Sequence, residues 1–235
     1  MDLEKLKASR AKKERVDFPV SEKELCDRLE VLYTGAINDV LREMNLLHQT
    51  LPSSILPLKE DMIRAGIAFT VKGSKNLTLE NEMEQRAQML EAIRENSMVV
   101  WDTSGDDESA QWGEVMTMAS IQRGCRGAVV DGGIRDTKKV LSQNFPVFAR
   151  YRTSNGMLGR FRMIGYQVPI QIGNVLIHPG DVVFGDIDGV IVIPREIAYP
   201  VLTRAEAIKG KEGEIKEWVK DGMSPTEVIR NGGYF

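Results

Sequence analysis

The stretch from Ser97 to Tyr151, SMVVWDTSGDDESAQWGEVMTMASIQRGCRGAVVDGGIRDTKKVLSQNFPVFARY, decides the fold. It contains three short apolar runs, SMVVWDT (97–103), GAVVD (127–131) and FPVFARY (145–151). Runs of roughly four to eight β-branched and aromatic residues, bounded by Gly, Asp and Pro, are strand signals. Between the first two, WGEVMTMASIQRG (112–124) has the length of a helix. Val115, Met118 and Ala119 are expected inward there, and Gly124 is a natural stop. The polar loop SGDDESAQ precedes it, and GGIRD is expected to turn off the end of the second strand. A short helical step leads to the third strand. This β-α-β alternation argues for a layered α/β domain whose ligands sit at the C-terminal ends of the strands.

Upstream, residues 1–20 form a charged N-terminal extension closed by Pro19. Ser21-Glu-Lys-Glu24 then reads as a capping box. Leu25, Leu29 and Leu32, then Ile37, Val40, Leu41 and Met44, place two helices that meet near Gly35. LPSSILPLKED (51–61) is a loop, AGIAFTVK (65–72) a buried strand, and 80–96 a helix with Met83, Ala87, Leu90 and Ile93 on one face. Downstream, short runs (FRMIG, VPIQI, VLI, DVVFGD, GVIVIP) separated by Gly, Pro and Asp read as a β meander on the same core. A charged helix over 195–221 follows, so residues 21–235 read as a single domain.

The 235 residues carry a net charge of −3, which offers no basic surplus for a nucleic-acid backbone. No run approaches the roughly 18 apolar residues of a membrane span, and the N-terminus lacks the apolar core of a secretory signal. Cys26 and Cys125 are the only cysteines and make no CxxC pair, which suits a reducing, cytoplasmic setting. Only two histidines occur, His48 and His178. Any metal must therefore be held by oxygen, which points to magnesium or manganese rather than zinc. No GxSxG, Walker or GxGxxG pattern follows a strand.

Arg135 and Asp136 lie just past the second strand. The carboxylate could hold a hard cation while the guanidinium grips a substrate carboxylate; equally, the two could form a surface ion pair or a helix cap. Gly113, Glu114, Val115 and Met116 open the helix, where unsatisfied N–H groups can hold an anion. The loops after strands 98–102 and 127–131 should lie side by side, so both groups could face one ligand. Asp102, Asp106, Asp107 and Glu108 read as a solvated loop, and Asp186 and Asp188 as turn-formers.

WGEVMTMASIQRGCRGAVVDGGIRDTKKVLSQNFPVFAR followed by PGDVVFGDIDGVIVIP resembles the RraA-like proteins, among them 4-hydroxy-4-methyl-2-oxoglutarate aldolases and regulators of ribonuclease E. The resemblance implies a layered α/β/α sandwich of the swivelling-domain type, assembled as a homotrimer or homohexamer. It also implies a pyruvate-binding backbone loop on Gly113–Met116, a substrate arginine at Arg135, and a magnesium or manganese aspartate at Asp136. One residue departs from the aldolase pattern: Lys139 stands where that pattern has an acid. An acid from the 102–108 loop, or Glu206, Glu212 or Glu214 of a neighbouring subunit, could take its place.

The expected activity is a metal-dependent carbon–carbon lyase that cleaves a 4-hydroxy-2-oxo acid to pyruvate, with oxaloacetate decarboxylation beside it. The rival in another class is a non-catalytic regulator that binds and inhibits a ribonuclease. A Schiff-base aldolase would need a lysine in an apolar setting at a strand end, and the sequence offers none.

Overall fold

The computed structural model describes residues 2–5 and 16–233. Much of the expected N-terminal extension, residues 6–15, lies outside them. Ser21 caps helix α1 (Glu22–Leu29), its hydroxyl accepting from Glu24 N at 3.1 Å. Helix α2 (Thr34–Glu43) follows. Leu25, Leu29, Ile37, Val40 and Leu41 of the expected faces are fully buried, whereas Met44 lies past the end of α2 and is exposed.

Strands β1 (Leu56–Pro57), β2 (Arg64–Lys75), β3 (Ser97–Asp102), β4 (Ala110–Trp112), β5 (Gly127–Ile134) and β6 (Val147–Arg152) come next. Helices α3 (Glu82–Ala92), α4 (Glu114–Gln122) and α5 (Thr137–Ser142) connect them. Strands β2, β3, β5 and β6 run parallel in the order β6-β5-β3-β2. The meander supplies β7 (Phe161–Tyr166), the β8 (Ile170–Ile172) and β9 (Val175–Ile177) hairpin, β10 (Val182–Asp186) and β11 (Gly189–Ile193). β10 and β11 extend the main sheet antiparallel, and β8–β9 forms a separate two-stranded sheet. Strand β2 changes partner along one edge: β10 lies beside residues 64–67 and β7 beside 71–75. β3 holds its other edge from Ile67 to Lys72.

The edge strands β1 and β11 touch each other, so the sheet curls almost closed. Alternation along the strands serves both faces. Met98, Val100, Val129, Phe148 and Val183 fill the inside, plugged by Ile170, Ile172, Val175 and Ile177 of the hairpin. On the outside, Phe69, Val71, Val99, Trp101, Ala128 and Val130 meet Met89 of α3, Met116 of α4 and Val140 of α5. Further round, Val182, Phe184, Ile191 and Ile193 meet α1, α2 and the long helix α6 (Ala198–Lys220). A short helix α7 (Pro225–Arg230) closes on a Ser224–Glu227 capping box.

Two helix faces differ from expectation. In α4 the buried residues are Met116, Thr117 and Ser120, whereas Val115 is 73% exposed and Met118 50% exposed. The Thr117 hydroxyl accepts from Trp112 Nε1 at 2.9 Å and donates to Gly113 O at 3.0 Å, so a polar side chain is satisfied inside. In α3, Met89 and Glu82 turn inward and Met83 is exposed, because Arg86 and Arg162 neutralise the buried Glu82 carboxylate.

Candidate active site

β5 runs on through Gly132, Gly133 and Ile134, so the glycines lie inside the strand rather than in a turn after it. The register slips between Val130 and Gly133 against β6, a bulge that re-aims the strand end. Arg135 follows at once, its N–H donating to Trp112 O at 3.1 Å and tying the end of β5 to the end of β4. Asp136 has φ 55°, a left-handed backbone that costs a non-glycine residue about 1–2 kcal/mol. It occupies the N-cap position of α5, yet its carboxylate makes no capping hydrogen bond. Its contact with Arg135 Nε is 3.6 Å, too long for a hydrogen bond, and the two side chains are 52% and 41% exposed. The surface ion pair is therefore present but loose, and Asp136 holds the N-cap position without capping through its side chain.

Gly113 is the extended N-cap of α4 (φ −172°, ψ −170°), with no side-chain cap at that helix start. A Cβ placed on it would lie 3.1 Å from Asp136 Oδ2 and 3.4 Å from Arg135 Cγ. The Gly113–Met116 helix start and the Arg135–Asp136 pair thus share one corner, brought there because β4 pairs in parallel with β5 and sets Trp112 beside Ile134. Within that helix start Met116 is buried and Val115 faces outward.

Lys139 binds Glu114, Nζ to Oε2 at 2.8 Å. The Glu114 carboxylate, with Asp136 adding to it, holds the Lys139 ammonium above the usual lysine range. Most of the other acids considered from the sequence are engaged elsewhere, while Glu214 is exposed on α6. Asp102 is 2% exposed, paired to Lys72 at 2.6 Å, and accepts from Ser104 N and Gln171 N. Asp106 is buried and accepts from Ser109 N and Gln111 Nε2. The loop is therefore half buried, not solvated throughout; of its acids only Asp107 and Glu108 are exposed, on Lys75 and Arg160. Glu206 pairs with Arg28, and Glu212 accepts from Tyr33. Asp186 accepts from Thr34 and from Asp188 N, the turn role expected of it.

Among the described residues no group of three or more His, Cys, Asp or Glu could hold a metal. What fits a hard cation here is one uncapped, half-exposed carboxylate, Asp136, with room for water around it; magnesium is held by one or two carboxylates in many sites.

Sequence reasoning missed two participants. Glu114 was read only for its backbone, and Gly156 was not singled out. A Cβ on Gly156 would lie 2.9 Å from Arg135 Nη1. No local signal announces a contact between residues so far apart in sequence.

The chain belongs to the RraA-like family, matching the model described as Aldolase/RraA over residues 24–192. A Halalkalibacterium halodurans protein named "Putative 4-hydroxy-4-methyl-2-oxoglutarate aldolase" is 34% identical over 187 residues, covering 78% of this chain and 82% of that one. Protein DlpA of Legionella pneumophila is 30% identical over 171 residues; the match covers 73% of this chain but only 28% of DlpA. A solved structure described under novel cellulases from microbes associated with the gut ecosystem is 52% identical, with a TM-score of 0.87. That match covers 91% of this chain and 96% of the other. No helix among the described residues is long and apolar enough to cross a membrane.

Proposed function

We propose that the chain is a divalent-metal-dependent lyase that cleaves a 4-hydroxy-2-oxo acid to pyruvate at the Arg135–Asp136 corner. The observation that carries this is how closely both side chains crowd Gly113: a Cβ there would lie 3.1 Å from Asp136 Oδ2 and 3.4 Å from Arg135 Cγ. One small carboxylate can therefore meet helix-start N–H groups and a guanidinium together. The family and the aldolase-named relative support the reaction class.

The Gly113–Met116 N–H groups orient the substrate carboxylate at the positive end of α4. Arg135 sits in reach of the keto oxygen, where negative charge gathers as the C3–C4 bond breaks, and stabilises it by preorganised charge. Asp136 would hold magnesium or manganese, whose contribution when bound is Lewis-acid polarisation of that oxygen. The C4 hydroxyl proton leaves to water as the C3–C4 electron pair passes into the enolate, and water then returns a proton to C3 to give pyruvate. The Lys139–Glu114 pair keeps Glu114 from serving as a free second carboxylate.

Oxaloacetate decarboxylation draws on the same charge development and belongs to the same proposal. A glycosidase reading has less support: it needs two carboxylates flanking a cleft, one raised as an acid. The acids at this corner are half-exposed Asp136 and ion-paired Glu114. The two free buried cysteines, whose thiols burial pushes up to about 12 and about 11, are inert and suit a cytoplasmic setting. An apolar stripe on α4, Val115, Met118 and Ile121, supports a contact between copies that covers it, and the trimer or hexamer is what the family resemblance implies.

The test is pyruvate release from a panel of 4-hydroxy-2-oxo acids and from oxaloacetate, with magnesium and with chelator. Turnover should need the metal, vanish in Asp136→Ala, and fall about 10²–10³-fold in Arg135→Ala. Absence of metal-dependent turnover on every substrate would return the chain to the non-catalytic, ribonuclease-binding alternative.

A further inference from the structure

We propose that Gly156 is a positioning residue for Arg135, its bare Cα surface forming the wall against which the guanidinium is seated. The inference rests on the role given to Arg135 above. A half-exposed arginine whose contact with Asp136 is a loose 3.6 Å has several rotamers open to it. Preorganised charge at the keto oxygen needs one of them. Two backbone surfaces narrow the choice. Gly113 bounds the stem, with a would-be Cβ 3.4 Å from Cγ. Gly156 bounds the tip, with a would-be Cβ 2.9 Å from Nη1 and 3.9 Å from Cζ.

Backbone geometry does not require the glycine, since Gly156 is not among the positive-φ residues. The remaining reason is space. The wall itself is fixed from both sides. Thr153 N donates to Ile134 O at 3.0 Å, Ala110 N to Asn155 O at 2.9 Å, and Gly156 bridges Ala110 in parallel. Asn155 Nδ2 reaches Glu108 O, and Met157 is buried in the core. Arg160 holds the Gly156 carbonyl at 3.3 Å and Glu108 at 3.3 Å. A loop anchored in this way does not retreat from one added methyl. The guanidinium, at the free end of a flexible side chain, moves instead. Stability and site geometry should therefore separate.

The experiment compares wild type, Gly156→Ala, Arg135→Lys and the double variant. The Arg135 Nε–H resonance, assigned by its loss in Arg135→Lys, should shift in Gly156→Ala while the melting temperature stays within about 2 °C. Pyruvate release should fall roughly 10²-fold in kcat/KM, the scale of a 1 Å misplacement. Adding Gly156→Ala to Arg135→Lys should change little further, because lysine has no Nη1 at that place. An unmoved resonance, an equal loss in both backgrounds, or a melting temperature lowered well beyond 2 °C would each overturn the proposal. A shifted resonance in a protein whose wild type lacks turnover upholds the positioning and removes the lyase reading instead.

Discussion

At the scale of single residues, Asp131 carries a charge penalty built into the strand that leads to the site. Burial pushes its carboxyl up to about 6 from 3.8; Arg150, 3.6 Å away, opposes this and Asp102 adds to it. A folded-state value above the unfolded one means that the native protein binds the proton more tightly. The resulting stability is complete below about pH 4 and lost as the pH rises through about 6. A rise of that size corresponds to roughly 3 kcal/mol. Asp131→Asn, neutral throughout, should gain up to that much over wild type at pH 7.5 and almost nothing at pH 4. Urea unfolding at the two pH values checks this; a constant difference between the proteins would place the penalty elsewhere.

At the scale of elements, α4 and β4 act as one piece. Trp112 stacks on Phe145 with ring centroids 6.1 Å apart, and its indole N–H is held by Thr117 one helical turn into α4. Thr117→Val should leave that buried N–H without a partner and cost about 1–3 kcal/mol, seen as a lowered urea midpoint with unchanged slope. The same pair shows where sequence patterning stops. β2, β3, β5 and β6 were legible because short apolar runs rich in valine, phenylalanine and other large apolar residues lie between Gly, Asp and Pro. The face of α4 was not, because Thr117 and Ser120 read as polar while a hydroxyl bonded to Trp112 and Gly113 is content inside. β4 was hidden in a polar loop; its three residues are buried through pairing with β5, which lies later in the chain. Arg135, Asp136 and Gly113 could be pointed to as candidates from strand ends and glycines. Gly156 could not, since its meaning is a distance across the fold.

At the scale of the whole molecule, the outward stripe on α4 begins beside the corner that holds Gly113 and Asp136. Val115, Met118 and Ile121 are 73%, 50% and 43% exposed, a lone apolar strip on an otherwise packed helix. Met118→Glu should lower the mass measured by light scattering toward that of one 26.3 kDa chain and weaken activity with it. An unchanged mass would mean that this strip is not where copies meet. Strand β2 has a different significance while the protein is being made. One of its edges can be filled by β3 soon after residue 102 emerges from the ribosome. The opposite edge must wait for Phe161–Tyr166 and Val182–Gly185. At about 5–20 residues per second, translation leaves that edge bare for several seconds. During that interval the 12-residue strand is an open template for any other nascent β-segment nearby. The strand that joins both halves of the finished sheet is therefore the one most open to mispairing at birth.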